Sequence, residues 1–313
     1  MGSVDHARDR GRGLLSVAGA AIIWGSTPLF ARWSGAAPLV TVFWRVTFAS
    51  VALLVYVLAT GQLRLLLRLS RRTVWALLLL GVLLAAGWAT LFTAFTWTTV
   101  ATAILLNYIG PLFVAVFTPL ATGAPPDRRI VFPLVMAVVG TAIIVGPQAL
   151  DAGGSRNLLG ISMAVVSAGI YALTVLINKR VLAGVPPGLA AFVQQVTAAV
   201  VLLPAVFFFP GPGGAAGWGA VAMLGVVHTG LAMLLFYQGL RLVRTDHVAV
   251  LSYIEPLAAV VLAAVFLAEP LTWYTGLGGA AVLAGGIMVA RMGVVPGPES
   301  PSLPPPLNGP LSG

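Results

Sequence analysis

An all-α polytopic membrane protein, with ten transmembrane helices in two inverted five-helix repeats, is the fold that three observations predict. The chain of 313 residues is 59% hydrophobic and only 8% charged, with a mean hydropathy of +1.01. A soluble domain carries about 25% charged residues to cover its surface. The apolar residues gather into runs of membrane-spanning length, about 17–25 residues each. Two short stretches half a chain apart, NYIGPL at Asn107–Leu112 and SYIEPL at Ser252–Leu257, repeat one another.

The runs lie at 14–34, 39–60, 74–96, 100–120, 130–147, 158–178, 188–209, 217–239, 246–267 and 272–291. Each must be a helix, because lipid cannot satisfy an open backbone. The third and fourth are parted only by TWTTVAT, the weakest division. The basic residues check the count independently. With the N-terminus in the cytoplasm, Arg8, Arg10 and Arg12 precede the first span, and Arg64, Arg68, Arg71 and Arg72 follow the second. Arg128 and Arg129, Lys179 and Arg180, Arg241 and Arg244, and Arg291 mark the later cytoplasmic gaps, so that 14 of 17 basic residues lie inside. Arg32 and Arg156 fall outside and Arg45 lies within the second span. One span more or fewer would scramble this positive-inside bias, so both termini are expected in the cytoplasm.

The N-terminus begins like a signal peptide, but its apolar run continues through IIWGSTPLF, too long for a cleaved signal. Residues 1–12 are expected to be a disordered basic cytoplasmic segment, 13–149 the first five-helix repeat, and 157–291 the second. The remainder, 292–313, is rich in proline, serine and glycine and reads as a disordered tail. The net charge of +9 does not mark a nucleic-acid binder, because the cations are spread over the gaps between spans. With no cysteine, disulfides, thiol catalysis and thiolate metal sites are excluded.

The repeat extends beyond the paired motif. GLLSVAGAAIIWGSTPLFARW from Gly13 aligns with GISMAVVSAGIYALTVLINKR from Gly160, pairing Trp24 with Tyr171 and Arg32 with Lys179. Five spans is an odd number, so the second copy enters the membrane the other way up. Inverted repeats of this kind recur in transporters, with the substrate site near mid-membrane at their interface. Pro111 and Pro256 occupy equivalent places in the two halves. Each removes a backbone hydrogen bond, either as a packing kink or as a helix break beside a cavity.

The sequence resembles the drug/metabolite transporter superfamily, specifically its EamA-type ten-span members, over residues 13–291. The resemblance is carried by WGS at Trp24–Ser26, the arginine of FWRVTFAS at Arg45, NYIGP, SYIEP, LAEP at Leu267–Pro270 and a glycine-rich last span. It implies export or exchange of small metabolites, amino acids or drugs among them, through a cavity lined by both halves. The first half departs from the pattern. Its fourth span ends in TPLATGAPPDRR, where such families often carry a carboxylate resembling Glu269.

Polar residues inside spans need a reason, since a charge at mid-bilayer costs about 2.5–3.5 kcal/mol on insertion scales. At about 1.5 Å per residue, Glu255 is ~14 Å deep, His228 ~16 Å, Trp24 ~15 Å and Arg45 ~9 Å from the outer side. Glu255 is a candidate proton carrier or counter-charge for a substrate amine, against the blander role of a hydrogen-bonded packing group. His228 either shares a proton with Glu255 or is a neutral histidine with both ring nitrogens satisfied. Arg45 either attracts a substrate carboxylate or pairs with backbone carbonyls. Trp24, Asn107, Tyr108, Tyr171 and Tyr253 are candidate substrate contacts, with interhelical hydrogen bonding as the default role for such groups, as for Gln194, Gln195 and Gln238. Glu269 falls at the outer interface, where exposure makes a charge cheap.

No metal or cofactor is expected, because His6, His228 and His247 have no ligand spacing. The chain has no GxxxxGK loop, which leaves primary active transport without support, and no DDxxD, HExxH or GxSxG for an intramembrane enzyme. A secondary transporter in the cytoplasmic membrane, with proton coupling as an option, is the function these features favour. A channel, or an enzyme or scaffold without alternating access, is the alternative. The partners expected are a small-molecule substrate and the lipid bilayer, with homo-oligomerisation left open.

Overall fold

The computed structural model describes residues 2–122, 128–150, 154–181, 184–242 and 251–291. Among them every regular element is helical. The first span is α1 (Gly2–Gly25) and α2 (Thr27–Trp33), the second α3 (Pro38–Ala59) and the third α4 (Arg71–Trp97). The fourth is split into α5 (Val100–Asn107) and α6 (Gly110–Thr122), and the fifth is α7 (Val131–Leu150). The sixth is α8 (Gly154–Val181), and the seventh is α9 (Pro187–Leu202) with the short α10 (Ala205–Phe208). The eighth joins α11 (Gly214–Gly225) to α12 (Ala232–Leu242) through a π-helical turn, Val226–Leu231. The ninth and tenth are α13 (Ile254–Phe266) and α14 (Trp273–Arg291).

Eight helical segments are long and apolar enough to cross a membrane, and two shorter apolar helices, Ile254–Phe266 and Trp273–Val289, complete the set of ten. The weak TWTTVAT division is real. Thr98 is extended, and the Thr99 hydroxyl caps α5 by accepting the Thr102 N–H at 3.1 Å. At the other end, α1 already begins at Gly2, inside the segment expected to be disordered. Once the apolar part has nucleated a helix, each further residue needs only one more bond to extend it. The start of the ninth span, with His247, and the tail 292–313 lie outside the described residues.

Packing repeats the internal symmetry of the sequence. The first span packs on the ninth and, in mirror image, the sixth on the fourth. The first also meets the eighth as the sixth meets the third, and the third meets the seventh as the eighth meets the second. Second with seventh, fourth with ninth and fifth with tenth are pairs that map onto themselves. Glycines let the backbones approach. A Cβ on Gly81 would stand 2.8 Å from the Gln194 carbonyl, and one on Gly225 would stand 2.8 Å from the Arg45 carbonyl. The two glycines are therefore equivalent, and Arg45 corresponds to Gln194.

Three spans are interrupted at mid-membrane. The first breaks at Ser26, the fourth at Tyr108–Ile109, and α13 begins only at Ile254. Pro111 is the second residue of α6 and Pro256 the third of α13. In a first turn the missing N–H has no intrahelical partner to lose. These prolines therefore start new helices rather than kinking old ones.

Candidate functional site

The interruptions converge on one layer. Trp24, Gly25 and Ser26 tie the first span to two others. The Trp24 indole N–H donates to the His228 carbonyl at 2.7 Å, and Ser26 Oγ lies 2.8 Å from His228 Nε2. Gly25 packs so close to α13 that a Cβ there would stand 2.7 Å from the Glu255 carbonyl and from Ala258 Cβ. The WGS motif is thus the knot that joins spans one, eight and nine.

His228 is 1% exposed on the π-helical turn. Its Nδ1 lies 3.0 Å from the Met223 carbonyl, which can only accept, so Nδ1 carries the proton. Nε2 meets Ser26, and Phe30 covers the ring edge-on at 4.9 Å. Both nitrogens are occupied, and no hydrogen bond joins His228 to Glu255 among the described residues. Of the two roles weighed for His228, this geometry corresponds to the histidine with both ring nitrogens satisfied, by Ser26 and Met223.

Arg45 is 6% exposed. Its Nε donates to Thr229 Oγ1 at 3.2 Å, and its guanidinium lies 3.9 Å from the Trp88 ring centre and 5.6 Å from that of Phe92. The backbone-carbonyl pairing that was one expectation gives way to a hydroxyl and two aromatic faces. A cation over an aromatic face keeps part of its electrostatic stabilisation away from water. Thr229 in turn donates to the Leu224 carbonyl at 3.0 Å, a group that the π turn releases.

Glu255 stands in the first turn of α13, where the N-terminal end of the helix dipole favours a negative charge. Its backbone lies against Gly25 of the first span, and its side chain shares the electrostatic surroundings of Arg45, Tyr108 and Tyr171. The Tyr108 hydroxyl donates to the Ser252 carbonyl at 3.4 Å, and its ring centre is 5.6 Å from that of Tyr253. Tyr171 is 47% exposed although it sits at mid-span and packs on Gly110 at the start of α6. Glu255, Tyr108, Tyr171 and Arg45 thus form one group drawn from both halves.

Two other candidates point elsewhere. Asn107 donates to Ser167 Oγ at 3.0 Å, and Ser167 donates to the Gly87 carbonyl at 2.9 Å, a relay that fastens spans four, six and three. Tyr253 is 5% exposed, and its hydroxyl is aimed at Gly286 of α14 without a hydrogen-bond partner among the described residues. Both side chains lie between helices. Trp88, Phe92, Ser26 and Thr229 were not singled out beforehand. Trp88 and Phe92 stand four residues apart on one face of α4, and Ser26 lies inside WGS, so these three carried a signal and Thr229 carried none.

Glu269 is not the freely exposed carboxylate expected at the outer interface; its side chain is 12% exposed. It accepts the Val100 N–H through both oxygens, at 2.8 and 3.1 Å, and pairs with Arg32 at 3.4 Å. It thereby caps α5 and draws the outer ends of spans one, four and nine together. Burial pushes its pKa above the ordinary carboxylate value, while Arg32 and the backbone N–H groups oppose the shift.

Comparison with known protein families matches the EamA-like transporter family twice, over residues 11–146 and 158–291. The uncharacterized transporter YxxF of Bacillus subtilis (strain 168) is 29% identical over 270 residues, covering 84% of this chain and 85% of its own. An uncharacterized transporter of Archaeoglobus fulgidus is 27% identical over 272 residues, 87% of this chain and 93% of that one. A crystal structure only 22% identical superposes with a TM-score of 0.61 over 90% of this chain and 98% of the other, a likeness of fold. Two family units in tandem, each of five spans, leave no place for the enzyme alternative: the chain belongs to the EamA-like transporter family and is a multi-pass membrane transporter.

Proposed function

We propose that the protein is a secondary carrier that exports small metabolites (amino acids, related metabolites or drugs) across the cytoplasmic membrane by alternating access, with both termini in the cytoplasm. The observation that carries this reading is Glu255 in the first turn of α13, where Gly25 of the first repeat packs on its carbonyl and Tyr108, at the α5–α6 break, meets the ring of Tyr253 at 5.6 Å. Half-helix N-termini at mid-membrane attract anionic groups. The carboxylate beside them attracts cations or takes up protons. A site of both characters suits a zwitterionic or cationic substrate.

Glu255 then works as an exchange point. The substrate's cationic group binds the carboxylate from the cytoplasmic side, and the two halves rock so that the site faces outward. A proton from outside neutralises the carboxylate and releases the substrate; return and deprotonation reset it. In this cycle Arg45, held by Thr229 and Trp88, supplies a fixed counter-charge. One chain contains both halves of the site, so no second copy is required. The WGS knot moves with α13, because Gly25 leaves no gap between them.

Reconstitution into proteoliposomes with an imposed proton gradient tests the reading. Accumulation of a transported amine or amino acid should saturate and should show counterflow. Glu255→Gln should abolish gradient-driven accumulation while the protein inserts normally. A Glu255→Gln protein that transports at the wild-type rate at every pH tried removes Glu255 from proton coupling. Flux that never saturates indicates a pore in place of a carrier.

A further inference from the structure

Four arginines crowd the turn between the second and third spans. Arg64 and Arg68 lie on the 3-10 helix Gln62–Arg68, and Arg71 and Arg72 open α4. All four are exposed. Among the described residues the one ion pair, Arg32–Glu269, lies at the other end of the bundle. Their counter-charge must come from outside these helices. At a membrane surface the abundant anions are lipid headgroups.

A cavity of about 510 Å³ adjoins them. Arg72 and Thr73 are its polar lining, Ala76, Leu173, Leu176 and Ile177 form one apolar wall, and Val181, Gly184 and Val185 close the remaining side. The helix faces beside it are apolar and exposed. Trp75 and Leu79 of α4 are 70% and 49% exposed, and Val166 and Leu173 of α8 are 48% and 46% exposed. Each pair sits at helical spacing and forms an apolar stripe on one helix face. The 3-10 helix alongside presents Leu67, 93% exposed, between its arginines, as an element lying in the interface plane does. The cavity therefore runs from cations at the membrane surface into the hydrocarbon layer.

We propose that this groove binds an anionic phospholipid, with the phosphate on Arg72, reinforced by the field of Arg71, and an acyl chain along Ala76, Leu173, Leu176 and Ile177. Charge and shape argue together. A zwitterionic headgroup would leave the arginines uncompensated, and a free anion would leave the apolar wall empty. The groove is bounded by one helix from each repeat. Its occupant braces α4 against α8 on the face where Arg71 and Arg72 lie, so lipid composition would tune the stability of the whole bundle.

The test is electron spin resonance on the full chain reconstituted in phosphatidylcholine, with spin-labelled phosphatidylglycerol or phosphatidylcholine as probe. The wild type should hold phosphatidylglycerol more tightly, by about fivefold per engaged arginine, and lose that preference as salt is raised. The double variant Arg71→Gln, Arg72→Gln should lose the preference and keep ordinary phosphatidylcholine contact. Leu176→Trp, which fills the groove without touching charge, should lose it as well. Arg64→Gln with Arg68→Gln should keep most of it. A wild type without preference overturns the proposal. So does an equal loss in the Arg64/Arg68 pair, which would mean a diffuse surface charge, or full preference in the Leu176 variant. Monodisperse elution and an unchanged helical spectrum, checked for each variant, separate these outcomes from misfolding.

Discussion

Gly25 shows how much one side chain decides in this protein. The chain needs the first span within touching distance of the Glu255 backbone, and only hydrogen fits there. Gly25→Ala would force α13 away from the WGS knot. The expected result is a loss of about 1–3 kcal/mol in stability and a transport rate reduced by tenfold or more, on the scale of a 1 Å misplacement. Thermal unfolding in detergent and proteoliposome flux measure the two effects. A variant with normal flux would separate the knot from the transport cycle. Residue identity was the best-signalled level here. A carboxylate, an arginine and a histidine in apolar runs stand out by their cost alone. Their partners did not, because a hydrogen bond such as Ser26 to His228 joins positions 202 apart in the chain.

At the scale of elements, the broken fourth and ninth spans were half legible. NYIGP and SYIEP announced a proline in each, but kink and helix start have the same sequence signature. The distinction depends on whether the turn before proline is helical, as at Asn107, or released, as at Tyr108–Ile109. The Glu269 cap was illegible for a related reason. It joins the loop after α13 to the N-terminus of α5, and nothing local to LAEP indicates which backbone N–H its carboxylate meets. Because burial raises the Glu269 pKa, the fold favours the neutral acid. A raised pKa contributes stability that is complete below the unfolded value and is lost as pH rises through the folded value. Comparing wild type with Glu269→Gln by thermal melts, the wild type's relative stability should be greatest in acid. It should decline as pH rises above the ordinary value of 4.5. A relative stability that climbs over that range would mean Arg32 outweighs burial.

The whole molecule is organised by an approximate two-fold relation with two chemical asymmetries. Arg45 of the first half corresponds to Gln194 in the second, and Gln194 bonds Asn178 at 3.0 Å instead of standing over an aromatic ring. Arg32 has Glu269, while the corresponding end of the fourth span, TPLATGAPPDRR, offers no carboxylate before Asp127. The carboxylate that pairs with Arg32 thus has no counterpart in the sequence of that stretch. The orientation itself is open to a clean measurement, because the chain has no cysteine. Under the proposed topology, Arg64→Cys should react with a membrane-impermeant maleimide only from the cytoplasmic side. Gly211→Cys, in the loop before the eighth span, should react only from outside. The reverse pattern would turn the molecule over and put the lipid groove in the other leaflet.

The sequence by itself determined that this chain crosses the membrane about ten times, in two related halves, and which rare charges need an explanation. Those facts follow from composition and periodicity, which act along the chain. Only the tertiary structure decided which charges share a site. His228 is held by Ser26 and Met223, Arg45 stands on Trp88, and Tyr253 faces away toward Gly286. Distances between helices depend on where glycines let backbones touch, and that is a property of packed surfaces rather than of any one segment.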